Sequence, residues 1–522
     1  MAVDQLETPV SGRPPTRPGW PLAVAGAIAG GVSLAVGELF AGLVEVLPSL
    51  VSGVATFVID HVPSVVKEFA IRLFGTNDKV ALAVGIVITT MALAALVGTR
   101  SRALPWLVPA AFFGFGLAGA LAAARTPLSA FGPAFVNGML ASAAGVLAFR
   151  LMARPVSEAE ETATDLDRRL FLGRAGAIAL LALIGAGAGR ALFERTRRLV
   201  AGREQVQLPV ASGPLPSIPD GASLDLPGIS PIITPNADFY RIDTAPIAPP
   251  SVDLASWRLK ITGLVDRELE LDFNDISDLP MVERTITISC VSNQVGGDLV
   301  GTAEWLGTPL GDLLRRAGIR PDASQIVGRS VDGFTVGFPV AAVSDGRDAL
   351  LAIGMNGEPL PFEHGFPARL VVAGLYGYVS ATKWLSEIEV TTWDAFDAYW
   401  IPRGWSKEGP VKTQSRIDTP TRSTRLSAGP VGIGGVAWAP TRGIDRVEVR
   451  VDEGPWMAAD LGDSIGDEAW RQWSIVWDAT PGNHQVQVRA TDGTGVTQPE
   501  ERTPVAPNGA TGYHTVTYAV EA

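Results

Sequence analysis

Residues 285–298 read TITISCVSNQVGGD, and they carry the clearest structural signal of the chain. The alternation over residues 284–290 predicts a β-strand with one buried face. This strand ends at Cys290, and a polar, glycine-rich loop follows it. A thiol at the end of a strand can face a cavity beside such a loop, although a lone cysteine is also often a small buried hydrophobe. Cys290 is therefore a candidate functional residue.

The cysteine and histidine counts limit the possible metal chemistry. The chain of 522 residues has one cysteine and four histidines. Disulfides within the chain, zinc sites built on two or four cysteines, iron–sulfur clusters held by cysteines and c-type haem attachment all need more thiols. A metal held by a single thiolate remains open. The net charge of −12 also argues against a broad nucleic-acid-binding surface, so we expect no nucleic-acid partner.

Apolar residues are concentrated upstream of the strand, before residue 195. Residues 18–37, 80–99, 103–124 and 126–149 carry no charged side chain. About 20 such residues in a helix cross a hydrocarbon core of about 30 Å. The fold class expected for residues 1–195 is therefore an N-terminal α-helical transmembrane bundle. Its predicted spans, about five in number, lie near residues 18–46, 80–99, 103–124, 126–152 and 170–192.

Positive charges predict the orientation of this multi-pass membrane anchor. Arg13 and Arg17 precede the first span and place the N-terminus in the cytoplasm, so that five spans carry the remainder of the chain outside. The arginines within residues 190–203 oppose this assignment. The run Arg168-Arg169-Leu170-Phe171-Leu172 resembles a twin-arginine export signal, and an ordinary positive-inside cluster is the alternative. Both interpretations place the C-terminal part on the extracytoplasmic side of the cell membrane.

Downstream of the anchor the composition predicts a linker and two further domains. Residues 196–250 are rich in proline and form a linker and the start of a catalytic domain. Residues 226–410 combine strand patterns with a helix over residues 310–317 that Gly318 ends, which is typical of an α+β domain. Residues 411–522 contain short alternating strands separated by turns. That pattern predicts an all-β, immunoglobulin-like sandwich.

Two further clusters combine glycines with cationic side chains. Residues 364–369 read HGFPAR, and residues 374–384 read GLYGYVSATKW. Glycines let backbone N–H groups approach an anion, and Arg369 and Lys383 supply positive charge. Neither cluster is a Walker A loop. Two ordinary turns are the alternative interpretation.

Taken in order, these segments resemble the sulfite oxidase family of molybdopterin enzymes, in its membrane-anchored bacterial type. The resemblance covers residues from about 226 to the C-terminus. It extends to the C-terminal sandwich, which resembles the family's immunoglobulin-like dimerisation domain. The segments that carry it are NADFYR at 236–241, WRLKITG at 257–263, TISC at 287–290, WLGTPL at 305–310, DGF at 332–334, MNGEPL at 355–360 and the two glycine clusters.

The resemblance implies a molybdenum centre held by a pyranopterin dithiolene, oxo groups and one protein thiolate. Cys290 occupies the position of that metal ligand and catalytic residue, and thiolate is a soft ligand that suits a redox metal. Arg241 lies where the family places an arginine facing an oxyanion substrate, which makes it the second catalytic candidate. The cofactor-binding residues that the resemblance implies are Asn236, Tyr240, Arg241, Cys290, His364, Arg369, Ser380, Thr382 and Lys383.

The sequence departs from the family pattern at two places. The segment 377–384 is one residue longer than the usual G-x-K-S-x-K-W and has Val379 where a lysine is usual, so the register of Ser380, Thr382 and Lys383 is open. Phe334 aligns with an active-site tyrosine, and the missing hydroxyl weakens the case for sulfite as the substrate. His61 is the one histidine in the membrane half of the sequence, whereas a haem held by two histidines would need a second, so we expect no haem in this chain.

The leading hypothesis is a membrane-anchored molybdopterin oxidoreductase that transfers an oxygen atom to or from a small oxyanion or a sulfoxide-like substrate. A methionine sulfoxide reductase or a nitrate-type reductase of the same fold is the alternative within the enzyme class. A non-catalytic membrane scaffold is the alternative outside it. The expected partners are the lipid bilayer, a second copy of the chain, and an electron-transfer partner that is either a redox protein or a quinone.

Overall fold

The computed structural model describes residues 20–44, 47–62, 78–125, 130–158, 172–185, 202–213, 215–244, 252–422 and 424–522, with a few single residues between these ranges. The chain divides into two compact units, Met1–Thr196 and Arg197–Ala522. The first unit is helical, and the second is built mainly from strands. Arg13, Arg17 and most of the predicted export signal, including Arg168, Leu170 and Phe171, lie outside the described residues.

The described part of the first unit consists of helices. Three of them are long and apolar enough to cross a membrane, namely α1, α3 and α5. These helices overlap the segments near 18–46, 80–99 and 126–152 for which spans are predicted. The helix bounds are α1 Trp20–Leu43, α2 Leu50–His61, α3 Asp78–Arg100, α4 Leu107–Ala123, α5 Phe131–Glu158 and α6 Leu172–Gly185.

Among the described residues, the two remaining predicted spans appear only as shorter apolar helices. Helix α4 has 17 residues and begins at Leu107, after a turn that contains Pro105. Proline has no amide hydrogen to donate, and it disfavours helical backbone at the residue before it, so the helix begins only after the turn. Helix α6 covers Leu172–Gly185 of the span predicted near 170–192. Length and composition therefore support three spans, and the count of five stays a prediction.

Small residues let the helices of this unit approach one another closely. A Cβ atom at Gly26 in α1 would overlap the carbonyl oxygen of Ala94 in α3, and Gly116 in α4 and Gly138 in α5 face each other in the same way. The Ser142 hydroxyl of α5 donates a hydrogen bond to the Phe112 carbonyl of α4 at 2.8 Å. Close contact through glycine, with hydrogen bonds between helices, is the packing mode of helices in an apolar solvent.

The first part of the second unit contains two separate sheets. Their strands come from the same stretch of the chain. One sheet has the order β2-β1-β10-β5-β6, and the other has the order β3-β4-β7-β8, with β9 paired to β7. Only β1 and β10 pair in parallel within the first sheet. The bounds are β1 Leu259–Gly263, β2 Leu269–Leu271, α7 Phe273–Ser277, β3 Val282–Ser289, β4 Val300–Pro309, α8 Leu310–Ala317, β5 Gln325–Ser330, β6 Thr335–Pro339, β7 Ala349–Met355, β8 Glu358–Pro359, β9 Arg369–Val372, α9 Gly377–Ser380 and β10 Leu385–Thr391.

The local sequence signals explain where these elements begin and end. Helix α8 spans the predicted residues and ends at Gly318, whose φ of 75° is the left-handed conformation that favours glycine. Strand β3 forms where the alternation predicts a strand, but residues 286–289 are buried on both faces, with Ile286 and Ile288 in a core with Trp305 of β4. The strand therefore delivers Cys290 to the edge of a hydrophobic core.

The C-terminal part of the second unit is all-β. Its sheets have the orders β11-β13-β17-β16 and β12-β19-β18-β14-β15. One hydrophobic core contains side chains of both sheets, among them Ile433 and Trp473 of the first and Val449 and Val488 of the second. The bounds are β11 Gln414–Thr419, β12 Leu426–Ser427, β13 Gly429–Trp438, β14 Ile444–Val451, β15 Met457–Ala458, β16 Asp460–Leu461, β17 Arg471–Ala479, β18 Gly482–Asp492 and β19 His514–Glu521.

Candidate active site

Cys290 follows the last residue of β3 and opens a tight turn. Its amide donates a hydrogen bond to the Leu299 carbonyl at 2.9 Å, and its carbonyl accepts one from the Asn293 amide at 3.0 Å. The Asn293 side chain accepts a hydrogen bond from the Leu299 amide at 3.0 Å and closes the loop. The thiol is free and buried. Burial raises its pKa, because an apolar surrounding disfavours the thiolate.

The thiol lines a cleft with a volume of about 120 Å³. Four other residues of the predicted set line the same cleft, so the structure brings them together with Cys290. They are Tyr240, His364, Arg369 and Lys383.

Arg369 and Lys383 are buried cations that approach each other because of one glycine. A Cβ atom at Gly365 would lie 3.0 Å from the Lys383 Cα and 3.2 Å from the Arg369 Cβ, and the Gly365 φ is 113°. The Arg369 guanidinium donates to the His364 carbonyl at 3.0 Å and lies over the Trp305 ring at 4.9 Å. Burial lowers the pKa of Arg369 to about 10, and no carboxylate of the described residues offsets this effect. A buried cation of this kind is suited to an anionic ligand.

Lys383 differs from Arg369 because it has a carboxylate partner. Its ammonium group lies 3.0 Å from a carboxylate oxygen of Asp243 and donates to the Glu363 carbonyl at 3.0 Å. Burial lowers the pKa of Lys383 to about 8, and Asp243 opposes this shift. The same carboxylate oxygen of Asp243 accepts a hydrogen bond from Arg241 at 2.8 Å. Asp243 thus joins two of the predicted site residues.

His364 ends the short helical turn Phe362–His364. Its Nε2 lies 3.1 Å from the Asn236 carbonyl oxygen, so this nitrogen carries the proton. Burial lowers the pKa of His364 to about 4, and the positive charges of Arg369 and Lys383 act in the same direction. The imidazole is therefore neutral at pH 7.

Tyr240 is the hydroxyl-bearing member of the cluster. Burial raises the pKa of its hydroxyl far above the ordinary value, and the nearby Cys290 acts in the same direction. The Tyr240 ring stacks on Phe239 with the ring centroids 5.3 Å apart. A phenol with such a pKa remains a hydrogen-bond donor over the physiological pH range.

Four predicted residues do not line the cleft. The Asn236 amide donates to the Met355 carbonyl at 3.3 Å and to Glu358 at 2.5 Å, so its contribution is the carbonyl that orients His364. The Ser380 hydroxyl donates to the Tyr376 carbonyl at 3.1 Å within α9. The Thr382 hydroxyl is buried against Gly328 and has no hydrogen-bond partner among the described residues. Arg241 is exposed and turned toward Asp243.

Sequence reasoning missed several residues that line the cleft. Asp243 and Asp332 are carboxylates, and Tyr378, Trp400 and Trp405 are aromatic. The aromatic run YWIPRGW at 399–405 was an available signal for the two tryptophans. Phe334, which aligns with the expected tyrosine, also lines the cleft.

The all-β part of the unit supports the loop that follows Cys290. Arg416 of β11 donates to the Gly297 carbonyl at 2.8 Å. Gly296, with a φ of 76°, lies so close to the His514 imidazole that a Cβ atom there would overlap the ring. The His514 Nδ1 accepts a hydrogen bond from the Ile417 amide at 2.9 Å. The loop is therefore held from two sides.

The donor set fits a metal that brings most of its own ligands. No group of three or more His, Cys, Asp or Glu side chains among the described residues could hold a metal ion. Cys290 can therefore contribute one thiolate to a centre whose other ligands come from a prosthetic group, and coordination would deprotonate the thiol. The cations Arg369 and Lys383 match an anionic group on such a cofactor. The residues of the cleft thus fit a metal–pterin carrying a phosphate.

Comparisons with known proteins give a consistent result. Residues 246–400 match the model of a protein family described as an oxidoreductase molybdopterin binding domain. Sulfite oxidase of Arabidopsis thaliana is 30% identical over 332 residues, which cover 52% of this chain and 84% of the plant protein. Mitochondrial sulfite oxidase of Rattus norvegicus is 29% identical over 325 residues. The match covers 52% of this chain but only 58% of the rat protein.

Among solved structures, the chain is similar to the sulfane dehydrogenase SoxCD from Paracoccus pantotrophus. The two are 26% identical, with a TM-score of 0.49. The similarity covers 56% of this chain and 85% of the other.

Proposed function

The chain belongs to the sulfite oxidase-like family of molybdopterin oxidoreductases, and from this premise we propose that it is a membrane-anchored molybdenum enzyme that catalyses oxygen-atom transfer. The observation that carries the proposal is the buried Cys290 thiol, which shares one cleft with the buried cations Arg369 and Lys383. When bound, the molybdenum–molybdopterin group supplies the two-electron redox change and the position at which the oxygen atom is exchanged.

The residues of the chain hold and orient the reacting groups. Cys290 is the protein ligand to the metal, and Arg369 and Lys383 bind the anionic part of the pterin. His364 and Tyr240 are neutral at pH 7: the Tyr240 hydroxyl is available as a donor in the cleft, whereas the Nε2–H of His364 donates to the Asn236 carbonyl and leaves Nδ1 as an acceptor. Because they do not titrate between pH 5 and pH 9, they hold a ligand without exchanging protons with the solvent.

The substrate is a small oxyanion or a sulfoxide-like compound. Oxidation of such a substrate takes the oxygen atom from water and releases two electrons and two protons, and reduction has the reverse balance. A reductase of the methionine sulfoxide or nitrate type is the second candidate. It is favoured by Phe334, which lines the cleft and carries no hydroxyl where a sulfite-oxidising relative is expected to have a tyrosine.

The remaining parts of the chain serve location and assembly in this proposal. The apolar helices α1, α3 and α5 anchor the enzyme in the membrane, with the catalytic part on the extracytoplasmic side. The two C-terminal sheets form an immunoglobulin-like domain through which two copies associate. A separate redox protein or a quinone exchanges electrons with the metal.

Metal and pterin analysis of the purified full-length protein tests the function. We expect about one molybdenum and one molybdopterin per chain, together with dye-coupled oxidation of sulfite or reduction of a sulfoxide. The Cys290→Ser variant should lose this activity by at least roughly a thousandfold, because the metal loses its thiolate ligand. Folded protein without molybdenum and pterin, or a Cys290→Ser variant with full activity, would overturn the proposal.

A further inference from the structure

The cleft that contains Cys290 has one aromatic side, which the proposed function leaves without a role. Phe334, Tyr378, Trp400 and Trp405 line this side, and we refer to these four residues as the aromatic wall. The rings of Tyr378 and Trp405 have centroids 6.0 Å apart, and those of Trp400 and Trp405 are 6.3 Å apart at 77°. These distances are typical of mutually supporting aromatic pairs.

Three contacts fix the aromatic wall in place. The Tyr378 hydroxyl donates to the Ser406 carbonyl at 2.6 Å, which leaves its ring to face the cleft. Phe334 packs on the Tyr399 ring at 5.6 Å, and Tyr399 in turn packs edge-on against Trp400 at 5.2 Å. The wall is therefore a continuous packed surface that need not rearrange to receive a ligand.

The aromatic wall adjoins the thiol. Val291, the residue after Cys290, is buried in the same hydrophobic cluster as Tyr378. Trp400 and Trp405 pack against that cluster. A molecule that reaches the metal position next to Cys290 therefore has aromatic rings beside it.

The cations that line the cleft are already assigned to the cofactor. Among the described residues they are Arg369 and Lys383, and the proposed function places both on the anionic part of the pterin. Arg241, the residue expected to face an oxyanion, instead pairs with Asp243. Arg403 lies on the Tyr399 ring at 3.7 Å, and its guanidinium donates to the Tyr399 carbonyl at 2.6 Å. A bare inorganic oxyanion at the wall would lose its hydration without gaining a comparable partner.

We propose that the aromatic wall selects substrates in which the atom that gains or loses oxygen carries organic substituents, so that an organic sulfoxide and its sulfide are the substrate pair and an inorganic oxyanion is a poor substrate. This inference rests on the proposed function. The S–O bond points to the metal position beside Cys290, and the hydrocarbon groups lie on Trp400 and Trp405. In the reducing direction one sulfoxide, two electrons from a donor dye and two protons give one sulfide and one water, as the S–O bond breaks.

Steady-state kinetics of the full-length holoenzyme in detergent test the proposal. Reduced viologen dye is the electron donor, and the probes are methyl phenyl sulfoxide and nitrate. We expect kcat/KM for the sulfoxide to exceed that for nitrate at least roughly tenfold. The Trp400→Ala and Trp405→Ala variants should raise KM for the sulfoxide roughly 10- to 100-fold with a smaller change in kcat, because they remove contacts to the substituent. The Trp400→Phe variant keeps an aromatic ring at this position, so its KM for the sulfoxide should stay close to the wild-type value.

The matched control is Trp456→Ala. Trp456 is a tryptophan that packs against Arg450 and Arg489, with Arg489 4.2 Å from its ring, and it does not line the cleft. This control should leave both values of KM unchanged. Each variant is compared at equal molybdenum and pterin content, and sulfide binding is measured by quenching of tryptophan fluorescence, which does not depend on turnover.

Phe334→Tyr keeps the inference testable if an alanine variant does not fold. The added hydroxyl places a polar group on the aromatic wall and should lower the ratio of kcat/KM for the sulfoxide to that for nitrate. The inference is overturned if the loaded wild-type enzyme prefers nitrate, or if no variant of the wall changes this ratio. Failure of the proposed function is a different result, namely folded protein that lacks molybdenum or turnover that does not depend on Cys290.

Discussion

Burial determines the protonation state of the residues around Cys290. It raises the pKa of the Cys290 thiol, lowers that of His364 to about 4 and lowers that of Lys383 to about 8. The thiol is therefore protonated at pH 7 until a metal binds, while the imidazole stays neutral. Asp243 keeps Lys383 charged by opposing the effect of burial. One carboxylate thus preserves the positive charge that an anionic cofactor needs.

Replacement of Asp243 by asparagine should separate the effect of burial on the pKa of Lys383 from the effect of the carboxylate. Lys383 and Asp243 form an ion pair in which the side chains are 10% and 2% exposed. Removing one partner of a buried pair typically costs about 3–5 kcal/mol, because the other charge is left without compensation. We expect a lower midpoint of thermal unfolding for Asp243→Asn and a further decrease in the pKa of Lys383.

The exposed pair of Asp312 and Arg315 provides the control for Asp243→Asn. Their side chains are 54% and 72% exposed, and such pairs contribute about 0–1 kcal/mol. Asp312→Asn should therefore unfold at nearly the wild-type temperature. Equal midpoints for Asp243→Asn and Asp312→Asn would show that the buried ion pair does not stabilise the fold.

At the scale of elements, the position of β11 matters most for the site. Arg416 and the amide of Ile417 lie on this strand, and through the Gly297 carbonyl and the His514 imidazole they reach the loop after Cys290. Residues more than 110 positions apart in sequence therefore cooperate at one turn. The C-terminal sheets thus support the loop that follows Cys290 as well as forming a separate layer of structure.

Acidification should weaken this support through His514. Burial lowers the pKa of His514 to about 4, Arg422, Arg416 and Arg502 act in the same direction, and Asp418 opposes them. The unfolded chain, with a histidine pKa near 6.5, then binds more protons than the folded chain below that pH. Stability should fall as the pH drops from about 6.5 to about 4, by roughly 3 kcal/mol for this residue at about 1.4 kcal/mol per pH unit.

Unfolding midpoints measured against pH check this expectation. His514→Asn keeps an acceptor for the Ile417 amide but does not titrate, so the slope below pH 6.5 should become shallower. It should not vanish, because His364 has the same depressed pKa. The control is His484→Asn, since Asp452 raises the pKa of that half-buried histidine and its contribution has the opposite sign. An unchanged slope for His514→Asn would show that protonation of His514 does not cause the loss of stability at low pH.

Local sequence signals predicted elements better than they predicted the site. Helix α8 occupies the predicted residues and strand β3 overlaps the predicted strand, because each depends on alternation or a glycine stop within a few positions. Arg241 was predicted to face the substrate but pairs with Asp243, and Ser380 bonds to its own helix. These outcomes depend on contacts between distant segments and on register, and a shift of one residue changes which way a side chain points.

At the scale of the whole molecule, apolar and polar functions occupy different compact units. The long apolar helices lie within Met1–Thr196, and the cleft lies within Arg197–Ala522. This division explains how a chain with 47% hydrophobic residues can contain a water-exposed catalytic domain. It also makes the predicted export of the second unit a separate question from its chemistry.

Replacement of Arg168 and Arg169 by lysine should test the predicted export route. A twin-arginine receptor reads the arginine pair itself, whereas a topology signal depends only on positive charge. We expect the double variant to retain the C-terminal unit in the cytoplasm, where protease added from the outer face cannot reach it. If the unit still becomes accessible, the arginine pair acts only as a positive-inside signal. Lysine replacement of Arg100 and Arg102 is the matched control and should not change accessibility.

Because the chain has a single, buried cysteine, the reactivity of that thiol can report how much of the protein has bound its cofactor. A thiol-selective alkylating reagent added to the folded protein has one cysteine to react with, Cys290. A population of molecules can therefore be sorted by mass into those that reacted and those that were protected, with no need to engineer a label or remove competing thiols. Because there is one cysteine, a spectroscopic label can also be attached in the cleft, at Cys290, without changing the wild-type sequence.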